Sequence, residues 1–451
     1  MAKNLVQARV EAIRRLVRRR SARPLSRALE KSGPGDIAEA IAHLTQEQTL
    51  FLFSHLEDEH AGEVMVSLHD GDFRNVVDGV PFGRLVALLD AMEPDDEADV
   101  VARLPDEIRE RVLTRIDAAD REDIEDLLAW PEDSAGGIMS PVVFKVAEET
   151  LCREAIEELQ EQGDVEMVFY LYVVNESGQL VGVLSLRNLL VNPPSTALRE
   201  LMSTDVIAVQ PETDQEEVAR IAARYDLLAV PVVDETRKLM GIITIDDVID
   251  VIREEADEDL LKMAGVNEGF DLHGASATTS AMARMRWLTV TLFAGLVLSE
   301  VILGFEETLA SKAAIAGFIP VVMGMGGNVG IQASTITVRN LATGHVSREE
   351  GIGKLLLRET RVGLLLGIVF GGTLTAWGLF RYWPDWTVGA SVGTSVLLAL
   401  MVASTLGTVI PLTLERMKVD PAVATGPFVT TLIDLIAVVV YFLVCTELFG
   451  L

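Results

Sequence analysis

The stretch that decides the fold is AVATGPFVTTLIDLIAVVVYFLVCT, residues 422–446. At about 1.5 Å per residue, a helix of this length can cross the roughly 30 Å hydrocarbon core of a bilayer. Its one charged residue, Asp434, lies twelve residues from the start, about 18 Å into the helix. A carboxylate at that depth is costly, so Asp434 indicates either an ion path or a polar partner on a neighbouring helix.

Four further apolar runs precede this one, and together the five predict a transmembrane domain over residues 284–451. The four runs are residues 285–305, 313–329, 362–380 and 388–414. The loops on one side of the predicted helices carry nine Lys or Arg, and those on the other side carry two. Basic residues are enriched in cytoplasmic loops, so we expect a plasma (inner) membrane protein with a cytosolic N-terminus and an external C-terminus.

Charge is distributed unevenly along the chain. Residues 1–283 hold 57 Asp and Glu against 27 Lys and Arg, whereas residues 284–451 hold 11 of each. The first 31 residues are basic, so residues 32–283 carry a net charge of −38. A domain with this balance repels itself unless cations bind, and it argues against nucleic acid as a partner because phosphates need positive charge.

Sequence signatures of driven transport are missing. The chain has no G-x-x-x-x-G-K-[ST] loop and no aspartyl-phosphate signature of a pumping ATPase. Cys152, Cys445 and the six histidines give no clustered metal-ligand spacing. We therefore expect no enzymatic activity.

The region before the membrane helices divides into four segments. Residues 1–23 predict a basic arm, either solvated or touching acidic lipid headgroups. Residues 24–137 show apolar positions at helical spacing between Gly and Pro, which predicts short helices stacked as a superhelix. Residues 138–200 and 201–253 are two copies of a repeat, each read as strand–helix–strand–turn–strand–helix. These copies resemble a tandem pair of cystathionine-synthase-type (CBS) regulatory modules.

Residues 254–283 predict a connecting helix that leads to the first membrane helix. Together with residues 245–253 just before them, these residues carry many acidic and few basic side chains. Like charges four residues apart repel on a helix, so we expect something cationic to hold this segment.

Two segments of the transmembrane region are suited to an ion path. Residues 320–334, PVVMGMGGNVGIQAS, combine glycines with Asn328, and residues 420–431, DPAVATGPFVTT, begin the last helix with two prolines. Glycine and proline at membrane depth can break a helix so that backbone carbonyls face water. Glycine can also allow two helices to pack closely, and the sequence leaves both interpretations open. Mg²⁺ sheds water reluctantly, so a few oxygen ligands and several retained waters suit it. The candidate pore residues are Asp434, Asn328, Gly326, Gly327, Thr431, Ala424 and Asp420.

These two segments, together with PEDSAGG at residues 131–137, resemble the MgtE family of magnesium channels. The similarity covers nearly the whole chain in the expected order. The resemblance implies a homodimer with its pore on the two-fold axis and Asp434 as the selectivity site. It also implies that the protein conducts Mg²⁺ inward and that cytosolic Mg²⁺ closes the pore by bridging acidic residues.

The regulatory residues that the resemblance implies lie in the helical domain, the second module and the connecting helix. They are Glu57, Glu59, Asp95, Asp96, Asp99, Gly136, Glu216, Asp226, Asp247, Asp250, Glu255, Glu258 and Asp259. Each could instead be an ordinary solvated side chain, so the cluster is the stronger hypothesis.

A nucleotide site is a further expectation. Thr244 to Asp247 resemble the T-x-x-D segment with which CBS modules hold a ribose, whereas the first copy has Arg187 and Asn188, with Asn replacing the acid. The sequence therefore predicts at most one good binding site for ATP or another adenine nucleotide. Asp247 could not serve a metal and a ribose at full strength together.

Two other functions remain open from the sequence. One is a secondary divalent-cation transporter coupled to H⁺ or Na⁺, with Glu300 and Asp434 as its proton-coupled pair. The other is a membrane-tethered sensor without transport, against which Asp434 argues because an anchor needs no intramembrane carboxylate.

Overall fold

The computed structural model describes residues 2–116, 118–161, 169–266, 277–342, 351–424 and 426–450. It forms two compact units, Met1–Glu255 and Ala256–Leu451, termed here the N-terminal and C-terminal units. Part of the predicted connecting segment, residues 267–276, lies outside the described residues.

The N-terminal unit begins with a series of short helices. They are α1 (Ala2–Arg18), α2 (Ala22–Leu29), α3 (Pro34–Ile41), α4 (Gln46–Phe53), α5 (Asp58–Val66), α6 (Asp70–Gly79), α7 (Phe82–Leu89), α8 (Pro94–Arg103), α9 (Asp106–Leu113) and α10 (Ala118–Leu127). Helices two apart in sequence pack together, α1 on α3, α3 on α5 and α5 on α7. The stack of short helices expected from the sequence is confirmed.

Helix α1 differs from the arm expected for residues 1–23. Its Val10, Ile13 and Val17 are buried in the same hydrophobic core as the helices that follow. Their spacing of three and four residues places them on one helix face, between arginines that remain outside. The basic residues therefore lie on the exposed side of an ordinary amphipathic helix.

The two CBS modules follow; in the second, the predicted first strand is reduced to an isolated parallel bridge between Val209 and Val232. The first contains β1 (Lys145–Ala147), α11 (Cys152–Glu161), β2 (Tyr170–Val174), β3 (Leu180–Ser185) and α12 (Leu186–Val191). The second contains α13 (Gln215–Tyr225), β4 (Ala229–Val233), β5 (Leu239–Thr244) and α14 (Ile245–Met263). The antiparallel pair in each module shifts register at the same place, Val173/Val174 and Val232/Val233, which confirms the repeat.

The helical domain and the second CBS module share one hydrophobic core. Val218, Ile243 and Val248 of the module belong to the same buried cluster as the residues of α1 to α10, whereas the first module has a core of its own. Burial of apolar side chains therefore holds α8 next to the start of α14.

The C-terminal unit consists of long apolar helices. They are α15 (Ala277–Leu303), the short α16 (Glu306–Ser311), α17 (Ile319–Ala342), α18 (Gly351–Tyr382), α19 (Trp386–Arg416) and α20 (Pro427–Phe449). Five segments of the described chain are long and apolar enough to cross a membrane, as predicted. The last helix begins at Pro427 rather than at 422, because Pro421–Ala424 form a separate 3₁₀ turn.

Helix α19 lies at the centre of this unit and packs against α17, α18 and α20. Its contact with α18 depends on glycine. A Cβ built at Gly371 of α18 would lie 2.5 Å from the carbonyl oxygen of Gly393 on α19, whereas at Gly372 it would meet nothing within 4 Å. Close backbone approach of this kind is how helices associate in a bilayer, where the surrounding lipid is as apolar as the side chains.

We expect Gly371→Ala to destabilise the protein by about 1–3 kcal/mol, because the added methyl group forces two backbones apart. Gly372→Ala is the matched control and should be neutral or slightly stabilising. Thermal unfolding of both variants in the same detergent measures the difference. Equal melting temperatures would contradict this account of the α18–α19 contact.

Candidate functional site

The candidate ion site lies where α20 crosses α17. Asp434 is about two turns into α20 and faces Gly327 of α17: a Cβ built at Gly327 would lie 3.1 Å from Asp434 Oδ1 and 3.2 Å from Thr430 Cγ2. The Oδ1 atom is buried and has no hydrogen-bond partner within the described structure. A carboxylate oxygen without a donor in an apolar bundle is costly, so Asp434 Oδ1 is a candidate ligand for a cation.

Glycines of α17 allow α20 to approach closely beside this carboxylate. Gly326 packs against Ala437 and Ile433 of α20, and a Cβ there would lie 3.3 Å from the Ala437 Cβ. Asn328, the next residue, is exposed on α17. The structure thus brings Asp434, Gly326 and Gly327 together, as expected for a pore-lining segment.

The remaining candidate pore residues lie nearer the start of α20. The Thr431 hydroxyl donates to the carbonyl oxygen of Pro427, one turn earlier on the same helix, at 2.6 Å. Asp420 precedes the 3₁₀ turn, and its Oδ1 accepts a hydrogen bond from the Ala422 N–H at 2.8 Å. Ala424 belongs to this turn, but its side chain lies outside what the structure describes.

Asp420 also binds the end of the connecting helix. Its Oδ2 lies 2.7 Å from Nζ of Lys262, which also pairs with Glu258 one turn earlier on α14. Burial acts to lower the pKa of Lys262, but the hydrogen bonds to Asp420 and Glu258 outweigh this and raise it. The cation expected to hold the acidic segment is therefore, at this end, a lysine of the same helix.

The candidate regulatory site lies between α8 and the first turns of α14 in the N-terminal unit. Asp95, Asp96 and Asp99 come from the first turns of α8, and Asp247 comes from the first turn of α14. Asp95 Oδ1 is buried without a hydrogen-bond partner within the described structure. We call this group of four the α8–α14 acidic cluster.

Burial is the largest cause of the raised pKa values in this cluster, and the neighbouring carboxylates add to it. Burial first, and then the charges of Asp95, Asp247 and Asp99, raise the pKa of Asp96 from 3.8 to about 7. Burial likewise raises the pKa of Asp247 to about 7, with contributions from Asp95 and Asp246 and against the hydrogen bond from Thr244.

The other two members follow the same trend. Burial raises the pKa of Asp95. The pKa of Asp99 is raised to about 7 by burial and by Asp95 and Glu254. The side chain of Asp99 is nevertheless exposed, so solvent screens its charge and we give it less weight.

Sequence reasoning missed several residues of this region. Glu132, Asp246 and Glu254 act on the pKa values of the cluster, and Arg103 opposes them at Asp99. Arg103 donates to the carbonyl oxygens of Val66, at 3.2 Å, and Leu68. All three acidic residues lie in segments that the sequence shows to be acidic or to belong to a motif. Their proximity to α8 depends on tertiary packing, which the sequence alone does not indicate.

The cluster fits a hydrated divalent cation better than a bare one. Among the described residues, no group of three or more His, Cys, Asp or Glu side chains is close enough to hold a metal ion directly. Mg²⁺ commonly keeps several waters and takes one or two carboxylates as direct ligands. Carboxylates that are near enough to repel, with one unpartnered oxygen among them, suit that mode of binding.

The other predicted regulatory residues do not join the cluster. Glu57 and Glu59 are exposed at the start of α5, and Asp226 ends α13 with a φ of 53°. Four have side-chain partners: Glu216 pairs with Arg220, Asp250 with Arg253, Glu255 with Gln215 and Glu258 with Lys262. Gly136 packs against the Trp130 ring, and Asp259 lies on α14.

The predicted nucleotide residues lie at equivalent places in the two modules. The Thr244 hydroxyl donates to Asp247 Oδ2 at 2.7 Å at the start of α14. In the first module, Ser185 caps α12 by accepting from the Asn188 N–H at 3.2 Å, and the Arg187 and Asn188 side chains are exposed. The second module alone therefore presents a carboxylate at this position.

Sequence reasoning also missed Tyr172. This strand residue is 2% exposed and packs with Leu180, Val233 and Ile242, so it lies where the two modules meet. Its hydroxyl is buried without a hydrogen-bond partner within the described structure. The sequence gives no sign of this position, because a tyrosine in an apolar strand is common whether or not its hydroxyl is buried.

Comparison with known proteins gives a consistent result along the chain. Residues 319–444 match a family model described as a divalent cation transporter, residues 32–133 match the MgtE intracellular N domain, and residues 135–193 and 198–254 match CBS domains. The N-terminal unit resembles a crystal structure of the cytosolic domain of the Mg²⁺ channel MgtE in complex with ATP. The TM-score is 0.51 at 35% identity, covering 54% of this chain and 99% of that one.

Whole-chain relatives agree with these matches. The magnesium transporter MgtE of Thermus thermophilus is 35% identical over 426 residues, which covers 93% of this chain and 94% of the relative. The magnesium transporter MgtE of Bacillus subtilis is 34% identical over 426 residues, 91% of this chain and 93% of the relative. The resemblance found in the motifs is confirmed, and the chain belongs to the MgtE family of magnesium transporters.

Proposed function

We propose that this protein is a Mg²⁺-selective channel that mediates passive Mg²⁺ influx and recognises the ion at Asp434. The observation that carries the proposal is the buried, unpartnered Oδ1 of Asp434 opposite Gly327. An intramembrane carboxylate without a protein partner stays charged only if a cation or water approaches it. The relatives' names supply the identity of the ion.

A homodimer would complete the site. One carboxylate offers few ligands, and a two-fold axis near α17 and α20 would present a second Asp434 while leaving room for the waters that Mg²⁺ retains. Exposed surface is available for a partner, because α15 has no buried residue and Asn328 of α17 is exposed. A monomer by light scattering in detergent would contradict this part of the proposal.

We also propose that cytosolic Mg²⁺ closes the channel through the N-terminal unit. Asp95, Asp96, Asp99 and Asp247 would hold the ion, which would supply the positive charge that their mutual repulsion requires. With the repulsion cancelled, the apolar core shared by α8 and α14 keeps the two helices together. Since α14 continues to Lys262, which pairs with Asp420, a change at the start of this helix would be passed to the segment that leads into α20.

Adenine nucleotide would act on the same helix. The Thr244 hydroxyl and the Asp247 carboxylate lie at the start of α14, where a ribose would compete with Mg²⁺ for Asp247. The solved relative in complex with ATP supports a nucleotide of this class.

For the pore, we expect Asp434→Ala to reduce Mg²⁺ influx into dye-loaded proteoliposomes at least tenfold, or to abolish its selectivity, because the ion loses its one charged ligand. Glu447→Gln is the control, since it removes a carboxylate from an exposed position near the other end of α20. Mg²⁺ is kept low on the side of the N-terminal unit, and trypsin added outside reports which side that is. Unchanged selective flux in Asp434→Ala would overturn the assignment.

A matched pair of glycine variants sharpens the same experiment. Gly327→Ala places a methyl group 3.1 Å from Asp434 Oδ1 and should reduce flux, whereas Gly324→Ala, with nothing within 4 Å, should not. Flux that requires an H⁺ or Na⁺ gradient would instead support the coupled-transporter alternative.

The cluster predicts a pH-dependent effect of Mg²⁺ on stability. Because folding raises the pKa of Asp96 and Asp247 from 3.8 to about 7, the folded protein binds more protons than the unfolded chain over this interval. The contribution of these two groups to the free energy of unfolding is therefore greatest below pH 4, and it is lost as the pH rises through 7. Without divalent ions, the melting temperature should fall between pH 6 and pH 8, and Mg²⁺ should restore more of it at pH 8.

The double variant Asp96→Asn/Asp247→Asn should flatten both the pH dependence and the Mg²⁺ effect. Glu107→Gln/Glu110→Gln removes the same charge from exposed positions of α9 and serves as the control. If the Asn variant keeps the wild-type response to Mg²⁺ at pH 8, the cluster is not the regulatory site.

For the nucleotide site, we expect Thr244→Ala to weaken ATP binding about tenfold, because the variant loses the hydroxyl that orients the Asp247 carboxylate. ATP-dependent shifts in melting temperature measure the change in affinity. Ser185→Ala removes the equivalent cap in the first module and controls for the roughly 1 kcal/mol loss of a helix cap. Equal effects of the two variants would contradict a site specific to the second module.

A further inference from the structure

One face of α18 carries three basic residues in succession. Lys354, Arg358 and Arg361 are spaced four and three residues apart, so their side chains lie on one side of the helix. All three are exposed, and among the described residues no acidic side chain forms an ion pair with them. The neighbouring Glu359 is 4% exposed and belongs to the opposite, buried side.

The same face continues as an apolar strip. Leu365 and Ile368, the next residues at this spacing, are 64% and 54% exposed. The face lies away from the contact with α19, which uses Gly363, Gly367 and Gly371 of α18. Since α18 packs mainly on α19, this strip is directed outward from the helix bundle.

The length of the apolar segment fixes the depth of the basic residues. Residues 362–380 contain no charge, and Arg361 and Arg381 are therefore about 30 Å apart along the helix, the thickness of a hydrocarbon core. Exposed Trp383 and Trp386 follow Arg381, as is typical of a membrane interface. Arg361 then lies at the other border, with Arg358 and Lys354 one and two turns further out, at headgroup level.

We propose that this face of α18 is a binding site for anionic phospholipid. The three cations would contact the phosphate and headgroup while Leu365 and Ile368 contact the acyl chains. A free phosphate matches only the basic half of the strip, whereas a lipid matches both halves. The membrane region, residues 284–451, holds 11 acidic and 11 basic residues, so three unpaired cations on one helix face are a local excess of positive charge at headgroup level. The inference rests on α18 crossing a bilayer and is independent of which ion the protein conducts.

The test uses the full-length protein, delipidated in a neutral detergent and titrated with phosphatidylglycerol or with phosphatidylcholine of the same acyl chains. Melting temperature and the amount of phosphatidylglycerol retained per chain are measured. The triple variant Lys354→Gln/Arg358→Gln/Arg361→Gln should bind phosphatidylglycerol about fivefold more weakly for each charge removed. The control Lys145→Gln/Arg237→Gln/Lys238→Gln removes three exposed charges from the CBS modules and should bind as wild type does.

A charge-retaining variant keeps the test valid if the triple variant folds poorly. Arg358→Lys/Arg361→Lys should retain preferential binding of phosphatidylglycerol. The proposal is overturned if the Gln variant binds as tightly as wild type, if phosphatidylcholine stabilises equally, or if inorganic phosphate alone reproduces the stabilisation.

Discussion

Repulsion between carboxylates that apolar packing forces together is the constraint on which the N-terminal unit depends. The core shared by the helical domain and the second CBS module holds α8 beside the start of α14, and both helices place aspartates in their first turn. Acidic residues suit the start of a helix because they complement its dipole. Each helix is therefore locally satisfied, and the conflict arises only when the two meet.

The consequence is a packing whose stability depends on the ions and protons available to it. Protonation of Asp96 and Asp247, with pKa values near 7, relieves the repulsion at low pH, and a divalent cation would do so at neutral pH. Since net stability is a small difference between large terms, a few neighbouring charges are enough to shift the equilibrium. The same carboxylates that make the domain acidic would thereby make it responsive to cations.

Much of the fold could be predicted from the sequence because the governing signals are local. Apolar runs identify the five membrane helices, and a repeated strand pattern identifies the two modules. Asp434 is evident because it is the one charge in its run. The grouping of Asp95 with Asp247 and Asp246 could not be predicted from residues alone, since it depends on packing between segments 150 residues apart in sequence. The burial of helix α1 could not be predicted, because arginines separate its apolar residues Val10, Ile13 and Val17 in the sequence.

The two ends of α14 meet the same electrostatic problem in different ways. At its C-terminal end, Lys262 is a permanent cation between Glu258 and Asp420, and its raised pKa keeps it charged at any physiological pH. At its N-terminal end, Asp247 lies near Asp95 and Asp96 without a lysine among them, so a neutralising charge would come from protons or from a cation in solution. The ion pair at one end therefore persists whatever the ion concentration, whereas apolar packing at the other end acts against a repulsion that ions or protons would relieve. A helix anchored in this way can respond at one end and act at the other, which is the property that ion-dependent control of a pore requires.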